Sequence, residues 1–186
     1  MSWNIVRLVD IQPTPWRNGG GVTRELVAWP EKDDWVWRMS VAQIDANGPF
    51  SRFDGVDRWF AVLSGAGVQL DVGGHAHALS AMDAPLLFDG TASTRCDLLD
   101  GSTQDFNLMV RQSAGRSHME RIQGQLGAAL NAPKMIAVYA IQTGATVQFD
   151  AEKLVLEPQT LAWRNVPPYA PVLVDSANAL WIEVSL

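Results

Sequence analysis

The chain has 186 residues, of which 47% are hydrophobic and 18% charged, and its net charge is −6. This composition is typical of a globular protein, and its acidic balance disfavours a nucleic-acid binder, which normally carries a basic stripe. The single cysteine, Cys96, excludes an internal disulfide and a CxxC metal site. Because the sequence shows no signal-like segment and no long apolar run, we expect a cytoplasmic protein without membrane contact.

Residues 15–26 form the stretch that local folding rules explain least well. Trp16, Arg17 and Asn18 precede three consecutive glycines, and a strand-like run then covers residues 22–29. Three glycines lose much conformational entropy on folding, so the backbone there is expected to need positive φ or a close approach to another group. Successive amides could also attract an anion, but no Lys-Ser/Thr pair follows to complete a phosphate loop.

Two later segments, residues 35–42 and 105–111, alternate between apolar and polar side chains as strands do. Trp37 and Met39 share the apolar face of the first segment, and Phe106 lies on that of the second. The opposite, polar faces carry Arg38, Ser40, Asp105 and Asn107.

Further strands are predicted up to Leu63, over residues 68–72 and over residues 86–88, each bounded by glycine-containing turns. Residues 113–134 interrupt this pattern and are predicted to be a connector. Within it, residues 118–125 fit a strand or a helix equally well. Strands resume at Met135.

The segments after this connector resemble those before it. The matching pairs are residues 67–71 with 146–150, 86–88 with 161–163, and 108–110 with 182–184. Two copies of one antiparallel β unit would explain these matches, and chance similarity between β sequences is the alternative. The predicted organisation is an N-terminal half over residues 1–112, a connector over 113–134 and a smaller C-terminal half over 135–186. Strands with glycine turns suit a sandwich or a small barrel holding one ligand at its mouth.

The candidate metal ligands are His75 and His77, which point the same way if they lie on a strand. The best third ligand nearby is Asp83, which lies across a predicted turn. Since the pair directly follows a Gly-Gly turn, we favour a solvated surface pair and expect no bound metal or cofactor. Cys96 has no neighbouring histidine in sequence and is interpreted as a buried, inert thiol.

Several polar side chains interrupt otherwise apolar strands. They are Asn18, Thr23, Arg24, Arg38, Ser40, Arg58, Asp105 and Asn107. Arg58 or Arg38 could form a structural ion pair with Asp105, or the group could line a pocket in which arginines hold a carboxylate. Aromatic faces for a flat ligand could come from Phe50, Trp59, Phe60 and Phe88, although ordinary core packing would explain each of them singly.

Segments along the whole chain together resemble the HutD/Ves family of cupin-like proteins. They are residues 15–21, 23–26, 50–53, 57–58, 63–67, 88–90 and 105–109. The resemblance implies an all-β bicupin fold and an association with bacterial histidine utilisation, where family members are regarded as regulatory or accessory proteins. The motif residues carried over are Trp16, Asn18, Gly19, Gly20, Thr23, Arg24, Phe50, Arg58, Asp105 and Asn107. The Glu and final His of metal-dependent cupins have no counterpart beside His75 and His77.

The leading expectation is a small-molecule-binding protein that senses or buffers urocanate or a related small carboxylate, and is not an enzyme. The expected ligand-binding residues are Trp16, Asn18, Thr23, Arg24, Arg38, Ser40, Phe50, Arg58, Phe60, Phe88, Asp105 and Asn107. One alternative is an enzyme, either metal-dependent through His75 and His77 or a metal-free isomerase or hydrolase acting through Asp105. Another is a purely structural interaction partner. By analogy with cupins, a homodimer is also expected.

Overall fold

The computed structural model describes residues 2–185, and the fold is all-β. Apart from two three-residue 3-10 helices, Leu8–Asp10 and Gln112–Ala114, the regular structure of this part of the chain is entirely strand. The strands are β1 (Asn4–Arg7), β2 (Thr14–Pro15), β3 (Gly21–Pro30), β4 (Trp35–Ile44), β5 (Gly48–Pro49), β6 (Val56–Ser64), β7 (Val68–Val72), β8 (His75–Leu79), β9 (Leu86–Asp89), β10 (Thr94–Leu98), β11 (Thr103–Arg111), β12 (Ser117–Ala129), β13 (Lys134–Ala140), β14 (Ala145–Phe149), β15 (Glu152–Leu156), β16 (Thr160–Val166) and β17 (Pro171–Val184). Within residues 2–185, no helix has the length and apolar character needed to cross a membrane.

The chain divides into two compact units whose boundaries differ from the predicted halves. The first, here called the site unit, comprises Ile11–Ser113. The second, here called the C-terminal unit, combines residues 114–185 with residues 2–10. The N-terminal residues belong there because β1 pairs with β16, with Asn4 opposite Trp163. Because these two strands are far apart in the sequence, no local sequence pattern predicts that they pair.

Residues 113–134 contain the long strand β12 where the sequence indicates a connector. β12 pairs with β17 from Ser117 opposite Val184 to Ala129 opposite Pro171. The register shifts beside Gly124, whose φ is +105°. Glycine and alanine have low strand propensity, so the small residues in the second half of β12 look like a loop in the sequence. Ladder hydrogen bonds to β17 nevertheless hold them in a strand with a bulge.

The site unit consists of two antiparallel sheets packed face to face. One has the order β2-β3-β4-β11-β6-β9 and the other the order β5-β10-β7-β8. Their shared core is built from both sheets: Ile44, Phe60, Val62, Val68, Leu70, Leu79, Phe88 and Cys96. Since burial of one large apolar side chain contributes roughly 1.5–3 kcal/mol, this layer stabilises the packing of the two sheets.

The C-terminal unit has a seven-stranded sheet with the order β1-β16-β13-β17-β14-β15, and β12 also pairs with β17. Its core surrounds Trp181, which is fully buried, and includes Val138, Val147 and Val174. The first part of β17 pairs with β14 and the last part with β13. The site unit uses two strands for two such pairings, where the C-terminal unit uses β17 alone: β10 pairs with β7, and β11 pairs with β6.

Candidate functional site

A pocket of about 620 Å³ opens within the site unit. It is lined by Pro15, Trp16, Arg17, Asn18, Thr23, Arg38, Ser40, Ala42, Pro49, Phe50, Ser51, Phe53, Arg58, Asp105, Asn107 and Met109. A volume of this size suits a small organic ligand, and the mixture of aromatic faces with a few polar groups is characteristic of ligand sites.

Strand register explains why the polar side chains converge. β11 lies between β4 and β6, and residues directly opposite each other on neighbouring strands point to the same face of the sheet. Met109 lies opposite both Arg38 and Arg58, while Asn107 lies opposite Ser40 and Asp105 opposite Ala42. The alternation of β4 and β11 therefore places one polar face along the pocket, as the sequence pattern predicts.

A chain of hydrogen bonds links the buried polar groups at this face. Arg58 donates from Nε and Nη2 to Asn107 Oδ1, at 3.2 and 2.9 Å. Asn107 Nδ2 in turn donates to Asp105 Oδ2. All three side chains are at least nine-tenths buried. Arg58 thus reaches Asp105 through Asn107, and within residues 2–185 neither Arg58 nor Arg38 forms the direct ion pair with Asp105 that the sequence allowed.

Burial controls the ionisation of this group. Asp105 is 1% exposed, and desolvation raises its pKa from the usual 3.8 to about 7, although Arg58 and the Asn107 hydrogen bond act in the opposite direction. Burial lowers the pKa of Arg58 to about 10, with Asp105 opposing that change. At neutral pH Arg58 stays charged, and both ionisation states of Asp105 are accessible. The Oδ1 atom of Asp105 has no hydrogen-bond partner.

Arg38 provides a second cationic group at the pocket. Its guanidinium lies 5.2 Å from the ring centroid of Trp35 and 5.3 Å from that of Phe53. Glu25 is its ion-pair partner, at 3.6 Å, and its Nε atom has no hydrogen-bond partner. Desolvation lowers the pKa of Arg38 and Glu25 opposes this. Its unused donor is suited to an anionic group of a ligand.

Aromatic rings form one wall around Phe50. Its centroid lies 6.4 Å from that of Trp16 in an edge-on contact and 5.9 Å from that of Phe60. The Arg58 guanidinium lies 4.6 Å from the Phe50 ring centroid and 5.5 Å from that of Phe88. These contacts hold Arg58 in place by cation–π attraction.

The β2–β3 hairpin closes another side of the pocket. Trp16 Nε1 donates to Thr23 Oγ1 at 2.7 Å, which fixes the indole across the hairpin. Gly19 has φ +71°, and a Cβ on Gly21 would lie 2.3 Å from the Gln43 carbonyl oxygen. Both expectations for the glycines, positive φ and close approach, are confirmed.

The glycine amides are not arranged as an anion nest. The Gly19 amide donates to the Trp16 carbonyl oxygen at 3.0 Å. The Gly20 amide donates to Asn18 Oδ1, also at 3.0 Å. Both donors are therefore used inside the hairpin and do not point to an anion.

Nine of the twelve side chains predicted to bind ligand line the pocket: Trp16, Asn18, Thr23, Arg38, Ser40, Phe50, Arg58, Asp105 and Asn107. The other three do not. Arg24 follows Thr23 on β3 and therefore points to the opposite face. Phe60 and Phe88 are buried behind Phe50 and Arg58 in the shared core. Whether any of these side chains binds ligand stays a prediction.

Sequence reasoning missed seven lining residues: Pro15, Arg17, Ala42, Pro49, Ser51, Phe53 and Met109. The period of two could have identified Ala42 and Met109, because they share strand faces with Ser40 and Asn107. Arg17 and Phe53 lie in loops that local periodicity does not describe.

The histidines lie outside the pocket. His75 is exposed on β8 and His77 is half-buried on the same strand, which is the last strand of the four-stranded sheet. Asp83, the proposed third ligand, instead accepts hydrogen bonds from the Ser80 amide and hydroxyl. No group of three or more His, Cys, Asp or Glu in residues 2–185 could hold a metal ion.

Cys96 is a buried core residue, as predicted. It lies on β10 in the shared core of the site unit and is 0% exposed. Desolvation, with a smaller contribution from Asp105, raises the pKa of its thiol to about 12. A thiol in this environment stays protonated and unreactive at neutral pH.

Antiparallel barrel-like sheets around a small mixed pocket define a cupin-like protein. A cupin 2 conserved barrel domain protein from Leptotrichia buccalis has the same fold, with a TM-score of 0.55 at 10% identity over 98% of this chain and 96% of the other. The HutD family model matches residues 9–182, so the chain belongs to the HutD family.

Named relatives agree with this assignment. HutD from Pseudomonas fluorescens SBW25 superposes with a TM-score of 0.80 at 27% identity, covering 98% of this chain and 97% of that one. An uncharacterized 21.2 kDa protein in the hutC 3′ region of Pseudomonas putida is 36% identical over 64% of this chain. Protein Ves from Cronobacter sakazakii is 37% identical over 59% of it. These matches span 64% and 63% of the two relatives' own lengths.

Proposed function

We propose that the protein binds a small carboxylate such as urocanate in the site-unit pocket, and has a regulatory or accessory role in histidine utilisation. The observation that carries this proposal is the pocket's charge. Three arginines, Arg17, Arg38 and Arg58, line it with one carboxyl group, that of Asp105, and the arginines stay in excess when Glu25 beside Arg38 is included. The proposal places the protein and its ligand in the cytoplasm.

The charge of the pocket contrasts with that of the whole chain, which is −6. A concave cationic site in an otherwise acidic protein concentrates anions locally and gives them a defined place to bind. Arg38 has an unused Nε donor, and guanidinium groups bind planar carboxylates through parallel hydrogen bonds. Trp16, Phe50 and Phe53 add faces against which a flat ring could pack.

The names of the relatives support the biological setting of the proposal. One lies in a hutC 3′ region, and the Pseudomonas fluorescens HutD structure was obtained in a formate condition. Formate is the smallest carboxylate, so it is a useful minimal probe of the arginine part of the pocket.

Isothermal titration with urocanate, histidine, formate and formylglutamate tests the proposal. Arg38→Ala should weaken carboxylate binding by roughly 1.5–3 kcal/mol, the range for a hydrogen bond to a charged group. Arg95→Ala is the matched control, because Arg95 is an exposed arginine of β10 paired with Asp97. It should leave affinity unchanged. The absence of heat and of any thermal shift with all four compounds would refute the proposal.

A metal-free isomerase or hydrolase is the second candidate, and the position of Asp105 favours it. A buried carboxyl group with a pKa of about 7 that lines a pocket has the properties of a general acid or base. Incubation of each candidate ligand in deuterated water, followed by NMR, would reveal a new product or exchange at carbon. Activity that disappears in Asp105→Asn would identify an enzyme, whereas unchanged ligands would leave binding as the function.

A further inference from the structure

We propose that Asp105 determines the specificity of the pocket by selecting ligands for the hydrogen-bonding group that they carry in addition to their carboxylate. The ligand class is a flat heteroaromatic carboxylate whose ring bears an N–H group. This inference rests on the proposed function, because it assigns a partner to the end of the ligand that the arginines do not hold.

The hydrogen-bond direction along the buried chain is fixed by Arg58. A guanidinium only donates, so both of its bonds, from Nε and Nη2, must end on the oxygen of Asn107. This orientation turns Asn107 Nδ2 towards Asp105, where it donates to Oδ2. One oxygen of Asp105 is therefore committed, and the same geometry leaves Oδ1 without a partner.

The residues directly opposite Asp105 on the neighbouring strands offer that oxygen no side-chain donor. Asp105 is 1% exposed, and its direct neighbours across β4 and β6 are the apolar residues Ala42 and Val62. A buried acceptor without a partner is costly, and Asp105 lines the pocket. A ligand with an N–H group would supply the missing hydrogen bond.

The charged and titratable groups around this carboxyl come from three strands. Arg58 on β6 favours its ionised form, and Arg38 on β4 interacts in turn with Arg58. Cys96 on β10 stays a neutral thiol. On β3, the pocket-lining residue is the uncharged Thr23. None of these groups changes charge near neutral pH, so the ionisation of Asp105 alone alters the hydrogen-bonding character of this part of the pocket.

The two ionisation states of Asp105 offer a ligand opposite hydrogen-bonding groups, an acceptor or a donor. When the carboxyl is ionised, Oδ1 accepts a hydrogen bond. When it is protonated, Oδ2 still accepts from Asn107, so the proton resides on Oδ1 and is donated to the pocket. Since the pKa of Asp105 is about 7, both states are accessible near neutrality. The preferred ligand should therefore change with pH.

Three acrylates of nearly equal shape test this. Pyrrolylacrylate carries a ring N–H donor, furylacrylate a ring oxygen acceptor, and phenylacrylate neither. At about pH 8 the wild-type protein should bind pyrrolylacrylate roughly tenfold or more tightly than furylacrylate, because the furan oxygen is itself an acceptor and leaves the buried Oδ1 acceptor unpaired. At about pH 5.5 this preference should shrink or reverse, since Oδ1 then donates.

Asp105→Asn provides the matched variant, because the amide keeps the size of the carboxyl group. Asn107 Nδ2 would donate to the oxygen of the amide introduced at position 105, so the N–H group of that new amide would point into the pocket. The variant should prefer furylacrylate to pyrrolylacrylate at both pH values, and this ratio of affinities should not change with pH, because the amide does not titrate.

The possible results separate the two proposals. Equal wild-type affinity for all three acrylates at both pH values would overturn the role of Asp105 and leave carboxylate binding intact. No measurable affinity for any of them would overturn carboxylate binding of this kind and the role of Asp105 together. If Asp105→Asn does not fold, the pH comparison on the wild type decides the question alone.

Discussion

Asp105 combines deep burial with a position in the lining of the pocket. Its carboxyl group is buried among strands, where ionisation costs free energy because desolvation outweighs the attraction of Arg58. The sequence predicted Asp105 as a pocket residue from the polar face of one strand. It could not predict the intervening position of Asn107 between Arg58 and Asp105, because that arrangement depends on side-chain rotamers across two strand pairings.

The ionisation of Asp105 should make the free energy of unfolding depend on pH. Its folded pKa of about 7 lies above the usual 3.8, so between these values the folded state holds a proton that the unfolded state has lost. Stability due to this group is therefore fully present below about pH 3.8, is lost as pH rises from there to about 7, and changes little above that. The difference between the two pKa values sets a ceiling of about 4 kcal/mol.

Urea unfolding of the wild type and of Asp105→Asn over about pH 5–8 measures this effect. The variant is neutral throughout, so its stability relative to the wild type should increase with pH. Asp45 and Asp89, whose pKa values are lowered by hydrogen bonds, are the same in both proteins and cancel in the difference. A difference that stays constant across this range would show that the carboxyl group is not desolvated as described.

Among the elements, the β2–β3 hairpin illustrates what a sequence pattern leaves undecided. Three consecutive glycines predict a special backbone but do not say which residue is constrained. In the structure, Gly19 needs its positive φ and Gly21 needs its close approach to Gln43. A Cβ on Gly20 would meet the flexible side chain of Asn18, whose Oδ1 would be nearest, at 3.3 Å. In β12 the sequence pattern instead fails to indicate a strand at all, because its small residues are typical of a loop and the pairing with β17 makes them a strand.

Gly21→Ala should destabilise the protein by about 1–3 kcal/mol, the usual cost of forcing an extra carbon into a packed site. The new Cβ would lie 2.3 Å from a backbone oxygen and 3.2 Å from the Trp16 ring, so both the strand and the pocket wall would have to move. Carboxylate affinity should fall as well. Urea midpoints and titration of the folded variant provide the two measurements.

Gly127→Ala is the control for this substitution. Gly127 also lies in a strand with ordinary φ, but nothing is within 4 Å of the position that a Cβ would occupy. Its stability should change by no more than about 0.5 kcal/mol. Equal losses in the two variants would mean that loss of glycine itself, rather than the contact with Gln43, destabilises Gly21→Ala.

For the whole molecule, the sequence predicted the all-β class and the family, since strand periodicity and motif combinations are local. It did not predict the unit boundaries, because β1 and β16 pair across almost the whole chain. The pocket is contained in the site unit, and all of its lining residues fall within Ile11–Ser113. The cupin-like homodimer remains a proposal, which light scattering at several protein concentrations would test.

Hydrogen–deuterium exchange should show that a bound carboxylate stabilises the site unit selectively. A ligand that binds only the folded pocket raises the free energy of local opening by about 2.7 kcal/mol at one hundred times its Kd. Amides of β4, β6, β11 and the β2–β3 hairpin should therefore exchange more slowly with saturating urocanate. Amides of the C-terminal unit that exchange through their own local openings should not change. Protection confined to β12–β17 would contradict the assigned pocket, because none of its lining residues lies in those strands.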